Sequence, residues 1–139
     1  MKKTLIIFCL IFWMAANAQE DKNWLQINNK VYINNNMAKF VQGSNYQRGL
    51  IEFKTQENCN KKTCIVQGLY DIDCLAGNIT NGWIYKYNQQ NQLLAKQKID
   101  LKIPISKVEK TVFNYLCTTR RLYMLRLESE LKQINYYGY

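Results

Sequence analysis

Four cysteines carry the chemistry of this sequence: Cys59, Cys64, Cys74 and Cys117. A fifth, Cys9, sits inside an apolar leader. Thiols in such numbers either hold a four-thiolate zinc ion or oxidise to disulfides. An even count in a chain marked for export favours disulfides. Four cysteines admit three connectivities. Cys59 and Cys64 span six residues inclusive and can close a small ring by themselves. The chain has no histidine. That removes every Ser–His or Cys–His nucleophile pair, every histidine general base and every histidine metal ligand. Asp71 and Asp73 stand two apart and share a strand face. Paired carboxylates can do acid–base work or hold a cation, but alternation alone makes them the solvent face of a half-buried strand. No motif implies a cofactor.

The leader fixes the compartment in which those thiols meet. Lys2 and Lys3 form a basic start, Leu5 to Ala15 is almost wholly apolar, and Ala16-Asn17-Ala18 is a small-x-small site. Residues 1–18 read as a secretory signal peptide cut between Ala18 and Gln19; the apolar run is too short for a spanning helix. An uncleaved anchor is the alternative. Lipid attachment needs a cysteine just after a small-residue box, and Cys9 lies inside the run instead. The reading is therefore an exported chain, periplasmic, secreted or at the cell surface, with no membrane anchor. Losing Lys2 and Lys3 leaves 17 basic against 10 acidic residues, about +7. Such a charge suits acidic partners. No basic run in the mature chain exceeds two residues, and no nucleic-acid motif is present.

Several short apolar runs must position the cysteines. Trp24 to Ile27, Val31 to Ile33, Met37 to Val41 and Arg48 to Lys54 are strand candidates separated by Asn-rich or Gly-Ser-Asn turns. That is the pattern of an antiparallel meander. Gln56 to Thr63 reads as a polar loop, Ile65 to Cys74 as the longest strand, with Gly68 a candidate bulge. Ile79 to Tyr87 sets Trp83, Tyr85 and Tyr87 on one face. Asn81-Gly82 interrupts it, as a bulge or as a turn. Leu93 to Ile99 returns. The period then changes. Ser106 and Glu109 make a capping box after Pro104. Val108, Val112 and Leu116 recur at helical spacing, so this helix lays an apolar face on the sheet. The expected core is Trp24, Ile27, Val31, Ile33, Ile51, Phe53, Ile65, Leu69, Ile72, Trp83, Val108, Val112 and Leu116. Beyond Cys117 a second stripe, Met124, Leu127, Leu131 and Ile134, extrapolates back through Arg120. It belongs either to the same helix continued or to a second helix after a break near Thr118-Thr119.

The order of these pieces is familiar. Trp24, the Val31-Tyr32-Ile33 strand, the Leu69-Tyr70-Asp71-Ile72-Asp73-Cys74 strand, Pro104-Ile105-Ser106 and the helix ending Leu116-Cys117 together resemble the surface-adhesin protein E family. The resemblance covers roughly residues 24–117. It implies an α+β fold: a meander sheet of about six strands covered by a C-terminal helix and stapled by a Cys74–Cys117 disulfide. Cys59 and Cys64 then pair with each other. It also implies an exported protein of a Gram-negative bacterium that binds host extracellular matrix or serum proteins. Three features depart from the family: no lipidation cysteine, the extra Cys59/Cys64 pair, and about 20 residues past Cys117. The resulting division is a signal peptide at 1–18, an adhesin E-like domain at 19–117 and a C-terminal helical tail at 118–139.

Two binding functions follow, and fold alone does not choose between them. One is a surface-adhesin-like module for a host protein. The other is a periplasmic accessory or inhibitor-type protein with an envelope partner. An enzyme is disfavoured, because nothing assembles a nucleophile or a base. The expected partner is a protein, and the expected contact is the tail: Arg120, Arg121, Met124, Leu127, Leu131 and Ile134. Its stripe must bury itself on this domain or on another molecule. Oligomeric state is left open by the sequence.

Overall fold

A computed structural model describes residues 23–137. The expected signal peptide with its Ala18–Gln19 junction, residues 19–22, and the terminal Gly138 and Tyr139 lie outside the described residues. The chain forms strands β1 (Trp24–Gln26), β2 (Val31–Asn34), β3 (Lys39–Phe40), β4 (Arg48–Cys59), β5 (Lys62–Asp73), β6 (Asn78–Tyr87) and β7 (Leu93–Ile99). Helix α1 (Lys107–Asn114) follows, then a wide π-type turn (Tyr115–Arg120) and helix α2 (Arg121–Tyr137). The sheet is antiparallel with strand order β1-β2-β4-β5-β6-β7. β2 and β3 share one edge of β4, separated by a 3-10 turn at Asn35–Met37. The expected meander under a C-terminal helix is therefore the fold, and both disulfides join the expected partners.

The sheet is built on one long hairpin. β4 and β5 pair without interruption from Arg48 opposite Asp73 to Cys59 opposite Lys62. The expected polar loop at 56–63 is thus strand and a two-residue turn. Asn60 and Lys61 both take positive φ, 50° and 64°, the handedness that matches a tight hairpin to strand twist. Polar composition misled the sequence reading here. Past Thr55 the β4 side of the hairpin is largely exposed, so its residues need not alternate.

α1 covers one face of the sheet. Val31, Ile33, Ile51, Phe53, Tyr70, Ile72, Ile79, Val112 and Leu116 are all at most 3% exposed. Burial of this apolar set is the main stabilising term. Among the expected core residues, Trp24, Ile65, Leu69 and Trp83 are only partly buried, and the strand register sets them on the opposite face. Ile65 and Leu69 have the wrong parity to share a face with Ile72, and Trp83 is opposite Leu69. A period of two leaves no compromise. Gly68 is not a bulge. It sits in register opposite Phe53. The bulge lies at Thr80, where the β5–β6 register shifts between Asp71 and Ile72. Asn81-Gly82 is therefore strand beside a bulge and not a turn.

The capping box forms as expected. Ser106 Oγ accepts from the Glu109 amide at 3.1 Å, and Glu109 Oε2 accepts from the amides of Ser106 and Ile105 at 3.1 and 2.9 Å. Lys102 Nζ donates to Glu109 Oε1 at 2.6 Å. Burial of Glu109 pushes its carboxyl up. The Lys102 hydrogen bond, the two amides and the Lys102 charge outweigh it, so the net value lies below the usual carboxylate range. The folded chain therefore takes up this proton less readily than the unfolded chain. The stabilisation is present above the unfolded value and is lost as pH falls through the folded one. Glu109→Gln should cost about 1.5–3 kcal/mol at pH 7, the value of hydrogen bonds to a charged group. Urea melts of both proteins between pH 7 and 3 should show the gap closing with acid. A gap that stays constant would remove the charge from the account.

Candidate functional site

The cysteines are structural. Cys59 and Cys64 bridge the hairpin tip with Cα atoms 5.8 Å apart, and Cys74 and Cys117 tie β5 to the π turn at 5.4 Å. None of the four is left to act as a thiolate. Asp71 and Asp73 serve separate partners. Asp71 Oδ2 lies 3.5 Å from Arg48, while Asp73 Oδ1 accepts from the amides of Leu75 and Ala76 at 3.0 and 2.9 Å. Among the described residues, no three His, Cys, Asp or Glu side chains gather where a metal could bind. Tyr70 is buried, and burial with the nearby Glu109 and Glu57 carboxylates pushes its hydroxyl far up. It stays protonated at any physiological pH.

Exposed apolar side chains gather instead on α2. Its 17 residues extend about 25 Å. The wide turn before it continues the helical direction, so the sequence alternative of a break near Thr118-Thr119 is replaced by a helix with one loosened turn. Turns of this kind insert a residue and rotate everything after them. The stripe divides in two. Arg120 and Met124 face the loop before β4, lining a shallow hollow with Phe40, Tyr46 and Glu128. Arg120 also lies over the ring of Tyr123 at 5.7 Å. Arg121 and Leu127 are half-buried. Leu131 and Ile134 are not: they are 60% and 64% exposed. A second apolar line appears that the stripe reading missed. Leu122, Leu125 and Tyr136 are all exposed, and Leu125 and Tyr136 border one shallow groove with Ser129 and Lys132. The signal that could have found this line is its own helical spacing, with 122, 125, 129, 132 and 136 recurring at three and four. Arg126–Glu130 at 2.9 Å and Glu128–Lys132 at 3.0 Å are spaced i to i+4. Opposite charges at this spacing support the helix they sit on.

The sheet face opposite α1 is the other exposed platform. Lys54 Nζ stands over Trp24 at 4.4 Å and Tyr32 at 5.6 Å; Lys96 Nζ stands over Trp83 at 4.3 Å and Tyr85 at 5.5 Å. Between them Glu52 accepts from Asn34 and Gln67, both at 2.6 Å. Cation–π pairs of this sort are worth about 0.5–1 kcal/mol each at exposed sites. They occupy the ring faces, so these aromatics serve sheet packing first. Period-two aromatics at Trp83, Tyr85 and Tyr87 were visible in the sequence. The lysines above them needed the register.

No family model matches this chain, and no curated protein or solved structure gives a significant match to it.

Proposed function

We propose that this chain is an exported, non-enzymatic binding protein of the surface-adhesin E type, and that α2 is its contact with a protein partner. The observation that carries the reading is the exposure of Leu131 and Ile134, on the part of α2 beyond the stretch, as far as Glu128, that borders the loop before β4. Apolar side chains aligned on an exposed helix face mark an interaction surface. A helix offered this way fits a groove on another protein through anchors spaced i, i+3, i+4 and i+7. The meander, its covering helix and the Cys74–Cys117 bond support the family reading. Two disulfides support an oxidising, extracytoplasmic setting. Among the described residues, no helix is long and apolar enough to cross a membrane.

The partner is proposed to be a host matrix or serum protein, and the second reading is an envelope protein. Cross-linking of the mature chain against both kinds of extract separates them. The decisive variant is Leu131→Lys with Ile134→Lys. Capture should fall at least about tenfold, as for loss of interface anchors, while Tm holds within a degree or two. If Tm falls by several degrees, the stripe is core, and if capture is unchanged, the partner binds elsewhere. Either result sinks the α2 assignment.

A further inference from the structure

A cleft of about 1070 Å³ opens between the first turn of α1, the β1–β2 turn and the distal half of β4. It is separate from α2 and shares only Tyr32 with the aromatic sheet face. Its floor is apolar: Val31 is 1% exposed, and Val108 is half-buried beside it. Thr55 also lines it. That side chain is 3% exposed, and its Oγ1 has no hydrogen-bond partner. A buried hydroxyl left unpaired costs about 1–3 kcal/mol, and such groups call for an explanation. An acceptor supplied by a ligand is one.

The charged groups facing the cleft are Lys30, Lys107 and Glu57. Glu57 is already held by Lys86 at 3.3 Å. Neither lysine has an ion-pair partner within 4 Å among the described residues. Two lysines with no ion pair among the described residues thus line the same cleft as an unpaired hydroxyl. The rim adds the side-chain amides of Asn29, Gln56 and Asn58. Each amide both donates and accepts, which suits vicinal sugar hydroxyls. The volume lies just above the usual range for small-molecule sites and holds more than one sugar ring.

We infer that this cleft binds an anionic saccharide, with Thr55 and the two lysines on its sulfate, phosphate or carboxylate group. Sulfated host glycans and phosphorylated envelope sugars present the same chemistry. The inference stands independently of any partner for α2.

Calorimetric titration of the mature protein tests it with three probes: a heparin hexasaccharide, a deacylated phosphorylated lipopolysaccharide core, and neutral maltohexaose. At least one anionic probe should bind, and maltohexaose at least about tenfold more weakly. The stronger anionic probe names the source. Thr55→Val should weaken that binding about tenfold, the value of one hydrogen bond to a charged group, while leaving Tm level or higher. Lys30→Gln with Lys107→Gln should weaken it by at least as much, whereas Lys96→Gln with Lys98→Gln on β7 should change it less than about twofold. Failure of both anionic probes to bind overturns the inference. So does equal loss in the two lysine pairs, which would mean diffuse charge. So does a Thr55→Val protein that binds normally or melts several degrees lower.

Discussion

Removing the Cys74–Cys117 bond by the double replacement Cys74→Ser, Cys117→Ser should cost the domain roughly 4 kcal/mol in the loop-entropy account. The bond closes a loop with a separation of 43 residues. Small domains hold only about 5–15 kcal/mol in total, so the variant should populate unfolded chain at 37 °C. The corresponding Cys59→Ser, Cys64→Ser variant should lose only about 2 kcal/mol, because its loop has a separation of 5. Its strands are also already paired by the hairpin register. Replacing both members of each pair prevents mispairing of an orphaned thiol. Equilibrium urea unfolding measures both. Equal losses, or a larger loss at the hairpin tip, would contradict the placement of the main tie between sheet and helix.

Gly68 should tolerate no side chain. A Cβ built there would collide with the Phe53 ring and come within 2.9 Å of Ile84 Cδ1. Phe53 cannot yield readily, since it is 1% exposed and its ring meets that of Tyr70 at 4.8 Å. Overpacking of this kind costs about 1–3 kcal/mol, occasionally more. Gly68→Ala should sit at the top of that range, and Gly68→Val above it. The cause is testable by a double-mutant cycle. Leucine at 53 lacks the two ring carbons that make the collision. In a Phe53→Leu background, Gly68→Ala should therefore cost less than about 1 kcal/mol. It can even gain from the reduced flexibility of the unfolded chain. An undiminished penalty in that background would mean that Gly68 answers to the backbone and not to Phe53.

These two sites show where sequence reading succeeds and where it stops. The capping box at Ser106 and Glu109 was legible because both halves of the signal lie within four residues. The Val112 and Leu116 face was legible because helical period is a local property. Gly68 was misread because its reason is Phe53, across the sheet. Ile65, Leu69 and Trp83 are apolar in either face assignment, and only pairing with β4 and β6 assigns them. The hairpin tip was hidden for the opposite reason: its polar composition imitates a loop. On α2 the stripe itself was visible. What separates Met124 from Leu131 is the reach of the loop around Tyr46, which no pattern within the helix encodes. Thr55 carried no signal at all, being one threonine in a strand.

The Cys117 staple lies within the π turn, at the root of α2. If α2 is held by a partner, that position decides how the domain bears mechanical load. A pull on α2 passes through Cys117 to Cys74 and into β5, which is hydrogen-bonded on both sides by β4 and β6. β6, β7 and α1 all lie between the two cysteines in the chain. They are bypassed, and their extended length, about 150 Å at full stretch, cannot be drawn out while the bond is intact. Reduction would release it. The same covalent link that raises thermal stability would thus act as a strain limiter, keeping the sheet whole while the helix is under tension.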